Sequence, residues 1–280
     1  MNKLVSKNIR YFDTTLRDGL QSYKHVLSLK EKTKLADYIY TTYKPQAIEV
    51  GSIVSEKFIP QMKDTLKVYD YCKNKKMNTD LYVLTPNAKS LQKALDHGVK
   101  NFSFITSVSD NFQKKNINKS LNETKEELKK MYLMLDDSNK VKLYVSCIDH
   151  CPIAGKQPIE NIIIELLHYM DNFSKINELC LSDTCGKLNL DSYKDLLHEL
   201  LAFIDSDKIS LHLHKGENSE ITQIIDFSLL KNINKFDVSA LHIGGCSMTI
   251  EKNKLNSNIQ YKDVDNIYDF ISIYKSMEYD

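Results

Sequence analysis

Ile9-Arg-Tyr-Phe-Asp-Thr14, continued by Thr15-Leu-Arg-Asp-Gly19, is the stretch on which the fold turns. Its first half is a short apolar-rich run of strand type. Its second half leaves that strand through a turn ending at Gly19. Arg17 and Asp18 therefore fall at the carboxyl end of a strand. A cation beside a carboxylate at that place suits a metal-assisted reaction on an oxyanion. Asp18 can hold a hard divalent ion, and Arg17 can neutralise charge that develops on a substrate oxygen. A surface ion pair capping a loop is the plain alternative.

Outward from this stretch the chain alternates. Runs of strand type cover residues 9–14, 47–51, 80–84, 101–106, 142–147, 178–182, 209–214 and 236–241. Charged amphipathic stretches of helical type fit between them, at 30–41, 56–75, 88–97, 121–135, 159–171, 191–204 and 218–230, with a last one at 264–277. Strands alternating with helices imply parallel βαβ units, and eight such units imply a closed (β/α)8 TIM barrel. With 280 residues and no linker-like or low-complexity stretch, residues 1–280 read as a single α/β barrel domain.

Composition removes several classes of function. The net charge is +1, so no global field draws the chain to nucleic acid or an anionic membrane. No apolar run approaches the roughly 20 residues that span a bilayer. The N-terminal residues carry no signal-type apolar region, so a cytoplasmic location is expected. Six cysteines, none in a Cys-x-x-Cys pair, fit a reducing compartment and argue against a structural zinc site. Of 8 glycines, Gly19, Gly51, Gly186, Gly216, Gly244 and Gly245 fall at strand-end loops or turns. Barrel enzymes place their active sites on that rim, although ordinary turn chemistry accounts for some of these glycines.

Leu211-His-Leu-His214 is the strongest metal signal. Residues two apart on a strand share a face, so His212 and His214 can project together at the end of the seventh strand. With Asp18 they make three ligands for one divalent ion. Mixed nitrogen and oxygen ligation suits Mn2+, Co2+ or Zn2+, and Mg2+ is compatible. Glu49 ends the second strand. A carboxylate in an apolar strand is costly unless paired, and Arg17 is its expected partner. An outward Glu49 on a helix dipole is the alternative. Asp183 ends the sixth strand in the same way. Cys246, after Gly244 and Gly245, could be a tuned thiol over the barrel mouth or an incidental loop cysteine.

Taken in order, several blocks resemble the 3-hydroxy-3-methylglutaryl-CoA lyase family. They are Arg17-Asp-Gly-Leu-Gln21, Ile48-Glu49, Val54-Ser-Glu-Lys-Phe-Ile-Pro-Gln-Met62, Val83-Leu-Thr-Pro-Asn87 and Lys114-Lys-Asn-Ile-Asn118. The series continues with Tyr144-Val-Ser-Cys147, Cys151-Pro152, Gly155-Lys156, Asp183-Thr184, His212-x-His214 and Gly244-Gly-Cys246. The resemblance implies a metal-dependent barrel lyase that cleaves its acyl-CoA thioester to acetyl-CoA and acetoacetate. Asp18, His212 and His214 would bind the metal, with Mg2+ or Mn2+ the first choices and Co2+ or Zn2+ compatible. Arg17 would stabilise the enolate oxygen, and Cys246 would move a proton. Glu49, Gln21 and Lys24 also match family positions, the last two on the substrate side, and Asp183 would lie near the substrate hydroxyl. A homodimer stays open.

Departures from the family pattern are specific. Phe12-Asp-Thr-Thr-Leu16 is nearer to related synthases and aldolases. Lys215 stands where an acid commonly follows the histidine pair, and His242 replaces a small residue. The loop after Cys246 lacks glycine, and Asn258, with Asn256 second, is the counterpart of the family's metal-binding Asn. A Claisen-type synthase or aldolase of the same superfamily, or a catalytically weakened binding relative, are therefore the alternative readings.

Overall fold

The computed structural model describes residues 9–216, 220–241 and 257–265. Eight strands are β1 (Arg10–Asp13), β2 (Ala47–Ser52), β3 (Asp80–Leu84), β4 (Asn101–Ser107), β5 (Lys140–Ser146), β6 (Ile176–Ser182), β7 (Ile209–His212) and β8 (Lys235–Val238). All pair in parallel, and β1 closes the ring by pairing with both β8 and β2. The expected (β/α)8 barrel is thus the observed one. The helices are α1 (Leu29–Tyr43), α2 (Thr65–Asn74), α3 (Ala88–Asp96), α4 (Asp110–Ile117), α5 (Leu121–Leu133), α6 (Ile159–Asn172), α7 (Leu190–Leu200) and α8 (Ile221–Leu230).

Local chemistry sets the helix ends. Ser28 with Glu31, and Ser120 with Glu123, form reciprocal capping boxes at α1 and α5. Asn87 and Asn189 cap α3 and α7 through their side chains. Three expectations need correction. Pro60 has no amide to continue a helix, so 56–75 opens with a turn and a 3-10 segment, Pro60–Asp64, before α2. The helix α4 was not anticipated, because its polar sequence carries only Phe112 and Ile117 as apolar residues; the Ser109 cap and the burial of Phe112 hold it. The seventh strand stops at His212 rather than 214. His214–Lys215 instead pair antiparallel with Ser257–Asn258. Residues 261–265 are helical, and the rest of the stretch expected at 264–277 lies outside the described residues.

Strand period sorts the core into two layers. Outward residues such as Ile48, Val50, Val83, Phe102, Leu143, Leu179, Leu211 and Phe236 belong to the main core, together with helix residues such as Ile39, Leu91, Leu166, Leu196 and Ile224. Inward residues form a thinner column. Phe12, Ala47 and Tyr82 make one cluster, and Leu84, Tyr144 and Cys180 another. The same period turns Glu49, Lys142, His212 and Asp237 inward, so the interior also carries charge. The Lys142 ammonium is fully buried. It sits 2.5 Å from Asp237, 2.6 Å from Glu178 and 3.9 Å above the Phe12 ring. Burial pulls its pKa down, but Asp237 and the other acidic neighbours outweigh that and raise it well above the usual lysine value. Cys72, Cys147, Cys151 and Cys180 are buried thiols. No helix among the described residues is long and apolar enough to cross a membrane.

Removing one partner of a buried pair strands the other charge. Lys142→Met should therefore lower the unfolding free energy by about 3–5 kcal/mol in urea titration. A loss below about 0.5 kcal/mol, the range of a surface substitution, would show that the barrel does not depend on the pair.

Candidate metal centre at the carboxyl end of the barrel

The turn after β1 is wound as a single wide π-type turn, Thr15–Gly19, with every residue buried. The Gly19 amide reaches back to the Thr14 carbonyl at 3.2 Å. Such turns re-aim side chains and recur at functional sites. Asp13 anchors it. One carboxylate oxygen accepts the Thr15 amide at 2.9 Å, and the other accepts the hydroxyls of Thr15 at 3.0 Å and Tyr261 at 2.8 Å. Burial pushes the Asp13 carboxyl up to about 6.

The turn delivers Arg17 and Asp18 to the barrel mouth. Arg17 donates from Nε to Glu49 at 2.5 Å and from Nη1 to Asp18 Oδ1 at 2.7 Å. Its guanidinium carbon lies 5.0 Å from the centre of the Tyr144 ring. Burial alone would lower the Arg17 pKa, but Glu49 and Asp18 more than reverse this and hold the guanidinium firmly charged. Burial likewise raises the Asp18 carboxyl, yet Arg17 and the two histidines bring it well below the ordinary carboxylate range.

His212 and His214 converge on the other oxygen of Asp18. Their Nε2 atoms lie 3.9 Å and 3.8 Å from Asp18 Oδ2, too far for hydrogen bonds. The nearest donor atoms of Asp18, His212 and His214 all fall within 4.8 Å of one another, the cluster of this kind found among the described residues. Each ring is oriented through Nδ1. His212 donates to Asp237 Oδ2 at 3.0 Å, and His214 to the main-chain oxygen of Asp183 at 2.7 Å. Both acceptors lack protons, so Nδ1 carries the hydrogen in each ring and Nε2 is the nitrogen turned toward Asp18. Asn258 completes the cluster from the far end of the chain, donating from Nδ2 to Asp18 Oδ2 at 2.8 Å.

This donor set fits a divalent ion. His214 Nε2 and Asn258 Oδ1 are buried without hydrogen-bond partners among the described residues. An unmet buried polar atom costs about 1–3 kcal/mol, and a cation between them would remove that cost. Two imidazoles, a carboxylate and an amide oxygen match borderline divalent metals.

The remaining site candidates distribute as follows. Glu49 is fully buried against Arg17. The Asp183 carboxylate is turned to its own loop, where it accepts the amides of Lys187 and Leu188 at 3.2 Å each; its carbonyl, rather than its side chain, serves His214. Gln21 is half-buried after the turn and Lys24 is exposed. Cys246, with Gly244, Gly245 and Asn256, lies outside the described residues. Close packing of the loops after β6 and β7 requires Gly216, because a Cβ there would stand 2.0 Å from the Gly186 oxygen. Sequence reasoning missed Asp237, Lys142, Tyr144 and the Asp13–Tyr261 pair. For Asp237 the signal was present, since a carboxylate between Phe236 and Val238 is as costly as Glu49 in its own apolar strand.

A family model described as HMGL-like matches residues 8–220. Hydroxymethylglutaryl-CoA lyase YngG of Bacillus subtilis is 32% identical over 234 residues, covering 82% of this chain and 76% of that protein. The mitochondrial hydroxymethylglutaryl-CoA lyase of Arabidopsis thaliana is 29% identical over 249 residues, 88% of this chain; the chain spans 52% of that relative's length. A crystal structure of the Bacillus subtilis HMG-CoA lyase superposes with a TM-score of 0.85 at 27% identity, over 94% of this chain and 86% of that one.

Asp237→Asn removes the carboxylate that accepts from His212. Mn2+ affinity, followed by the loss of the free-ion EPR signal, should weaken by about 10–100-fold with stoichiometry retained. Unchanged affinity would separate Asp237 from the centre.

Proposed function

We propose that this chain, which belongs to the HMGL-like family, is a metal-dependent carbon–carbon lyase that cleaves 3-hydroxy-3-methylglutaryl-CoA, or a close acyl-CoA, to acetyl-CoA and acetoacetate. The observation that carries the reading is the placing of one fixed cation, Arg17, beside a cluster of Asp18, His212, His214 and Asn258 at the barrel mouth.

The chemistry divides between these groups. Asp18, His212, His214 and Asn258 would hold a divalent ion, Mg2+ or Mn2+ in first place, whose Lewis acidity would ease passage of the tertiary hydroxyl proton to water. The bond that breaks joins the carbinol carbon to the methylene beside the thioester. Its electron pair moves onto the thioester oxygen as an enolate. Arg17 faces that charge, and Glu49 fixes the plane and direction of its guanidinium before any substrate arrives. The Nη2 edge takes this role, since Nε and Nη1 already serve Glu49 and Asp18. The methylene then needs a proton, and Cys246 is assigned to deliver it. Gln21 and Lys24, beyond the turn, are assigned to the acyl-CoA. A cytoplasmic enzyme and a single domain over residues 1–280 belong to the same proposal.

The wording Phe12-Asp-Thr-Thr-Leu16 favours a second reading, a Claisen-type synthase or aldolase on the same metal and barrel. Purified protein with Mn2+ or Mg2+, tested on acyl-CoA thioesters and on 2-oxo acids, separates the two. Acetoacetate release from the hydroxymethylglutaryl thioester is the expected result, and turnover confined to 2-oxo acids would overturn the lyase reading. Arg17→Met should cut turnover by at least about 10²–10³-fold with metal still bound. Arg17→Lys should recover little, because a point charge cannot replace the planar fork. Alkylation of Cys246 should inactivate, with protection by substrate. Normal cleavage after complete alkylation would remove Cys246 from the mechanism.

A further inference from the structure

We infer that Lys215 is a positioning residue for the metal centre, acting with Asp263 to seat Asn258 against Asp18. The inference rests on the metal centre proposed above. Its starting point is distance along the chain: Asn258 meets Asp18 across 240 residues of sequence. The strand that brings it there is short. His214 pairs with Asn258 and Lys215 with Ser257, and the Ile259 amide adds one bond to the Leu213 carbonyl at 3.3 Å. An isolated two-stranded pairing of that length is marginal in water, so further restraints must fix its register.

Those restraints act on the residues just after Asn258, beginning with the Ser239 amide, which donates to the Ile259 carbonyl at 2.9 Å. The Lys215 ammonium reaches across to Asp263 Oδ2 at 2.6 Å. The same oxygen accepts the Gln260 amide at 2.7 Å, so Asp263 closes the turn that follows Asn258. Tyr261 gives its hydroxyl to Asp13 at 2.8 Å and stacks on Tyr43 with ring centres 4.0 Å apart. Lys215 therefore belongs to the strand that carries the ligand His214, and its ion pair grips the turn just beyond the other candidate ligand, Asn258. One residue links the two donors. This accounts for the lysine that breaks the pattern after the histidine pair.

Exposure separates a positioning role from a bulk structural one. The Lys215 and Asp263 side chains are 35% and 20% exposed, so water weakens the pair. A partly exposed ion pair contributes little to global stability. Its effect should be confined to where Asn258 rests, with Asn258 Oδ1 the atom that gains or loses its place.

A double-mutant cycle on Mn2+ affinity tests this, with substrate absent and EPR or water-proton relaxation as readout. Lys215→Ala should weaken Mn2+ binding by about tenfold, the low end for removing a ligand's support. Asp263→Asn should do the same, and Lys215→Arg should retain affinity. Asn258→Ala should weaken binding at least as much, and adding Lys215→Ala to it should change nothing more, because the lysine acts through Asn258. Melting temperatures of the Lys215 variants should stay within about 2 °C of the parent, as expected for a surface substitution in a chain of this size. Equal weakening by Lys215→Ala with and without Asn258 would overturn the inference, as would unchanged affinity in Lys215→Ala. A parent protein with no saturable Mn2+ site, or one whose binding survives Asp18→Asn with His212→Ala, would overturn the metal centre itself, a distinct outcome.

Discussion

Lys142 and Asp237 face each other inside the barrel, both shut off from solvent, and the candidate metal centre at the barrel mouth depends on how they meet. One oxygen of Asp237 lies against the lysine and the other against His212 Nδ1. A pair of hydrophobic side chains would fill the same volume with equal or greater stability. What such a pair could not do is orient an imidazole. The charge is held in the core by strand period, which turns Lys142 and Asp237 inward as firmly as it turns Phe12 and Tyr82.

The centre solves one problem twice by different means. To hold a cation, both histidines would present Nε2, and each has an acceptor at Nδ1. For His212 that acceptor is the buried Asp237 carboxylate on the neighbouring strand β8. For His214, beyond the end of β7, it is a carbonyl of the loop after β6. The loop contact tolerates no side chain at Gly216. Asp18 divides its oxygens likewise, one toward Arg17 and the other toward the metal side. The result is the Arg17 cation fixed next to a candidate ion site, with the Asp18 carboxylate shared between them.

The departures in sequence look different in this setting. Lys215 is engaged with Asp263 rather than intruding on the donors. Asn258 reaches Asp18 although the segment leading to it lacks the glycines expected there. Arg17, Asp18, His212, His214 and Asn258 thus stand together at the barrel mouth, and the segment around Asn258 is tied down by Tyr261, Asp13 and Tyr43 as well.

Strand and helix alternation, the barrel, and the candidacy of Arg17, Asp18, Glu49, His212 and His214 were all legible in the sequence. Each rests on local information: a two-residue or near-four-residue period, or a charged residue at the end of an apolar run. The Glu49–Arg17 pairing was legible too, because neighbouring strands must satisfy a buried carboxylate. Tertiary structure alone decided that β7 ends at His212, that Asp183 serves His214 through its carbonyl, and that Lys142 and Asp237 stand beneath the site. The family resemblance had already singled out Asn258, ahead of Asn256, as a metal-site Asn; its direct hydrogen bond to Asp18 across 240 residues is what the fold added. Closure of the barrel brings its first turn and its last described segment together, and only closure selects which polar atoms meet there.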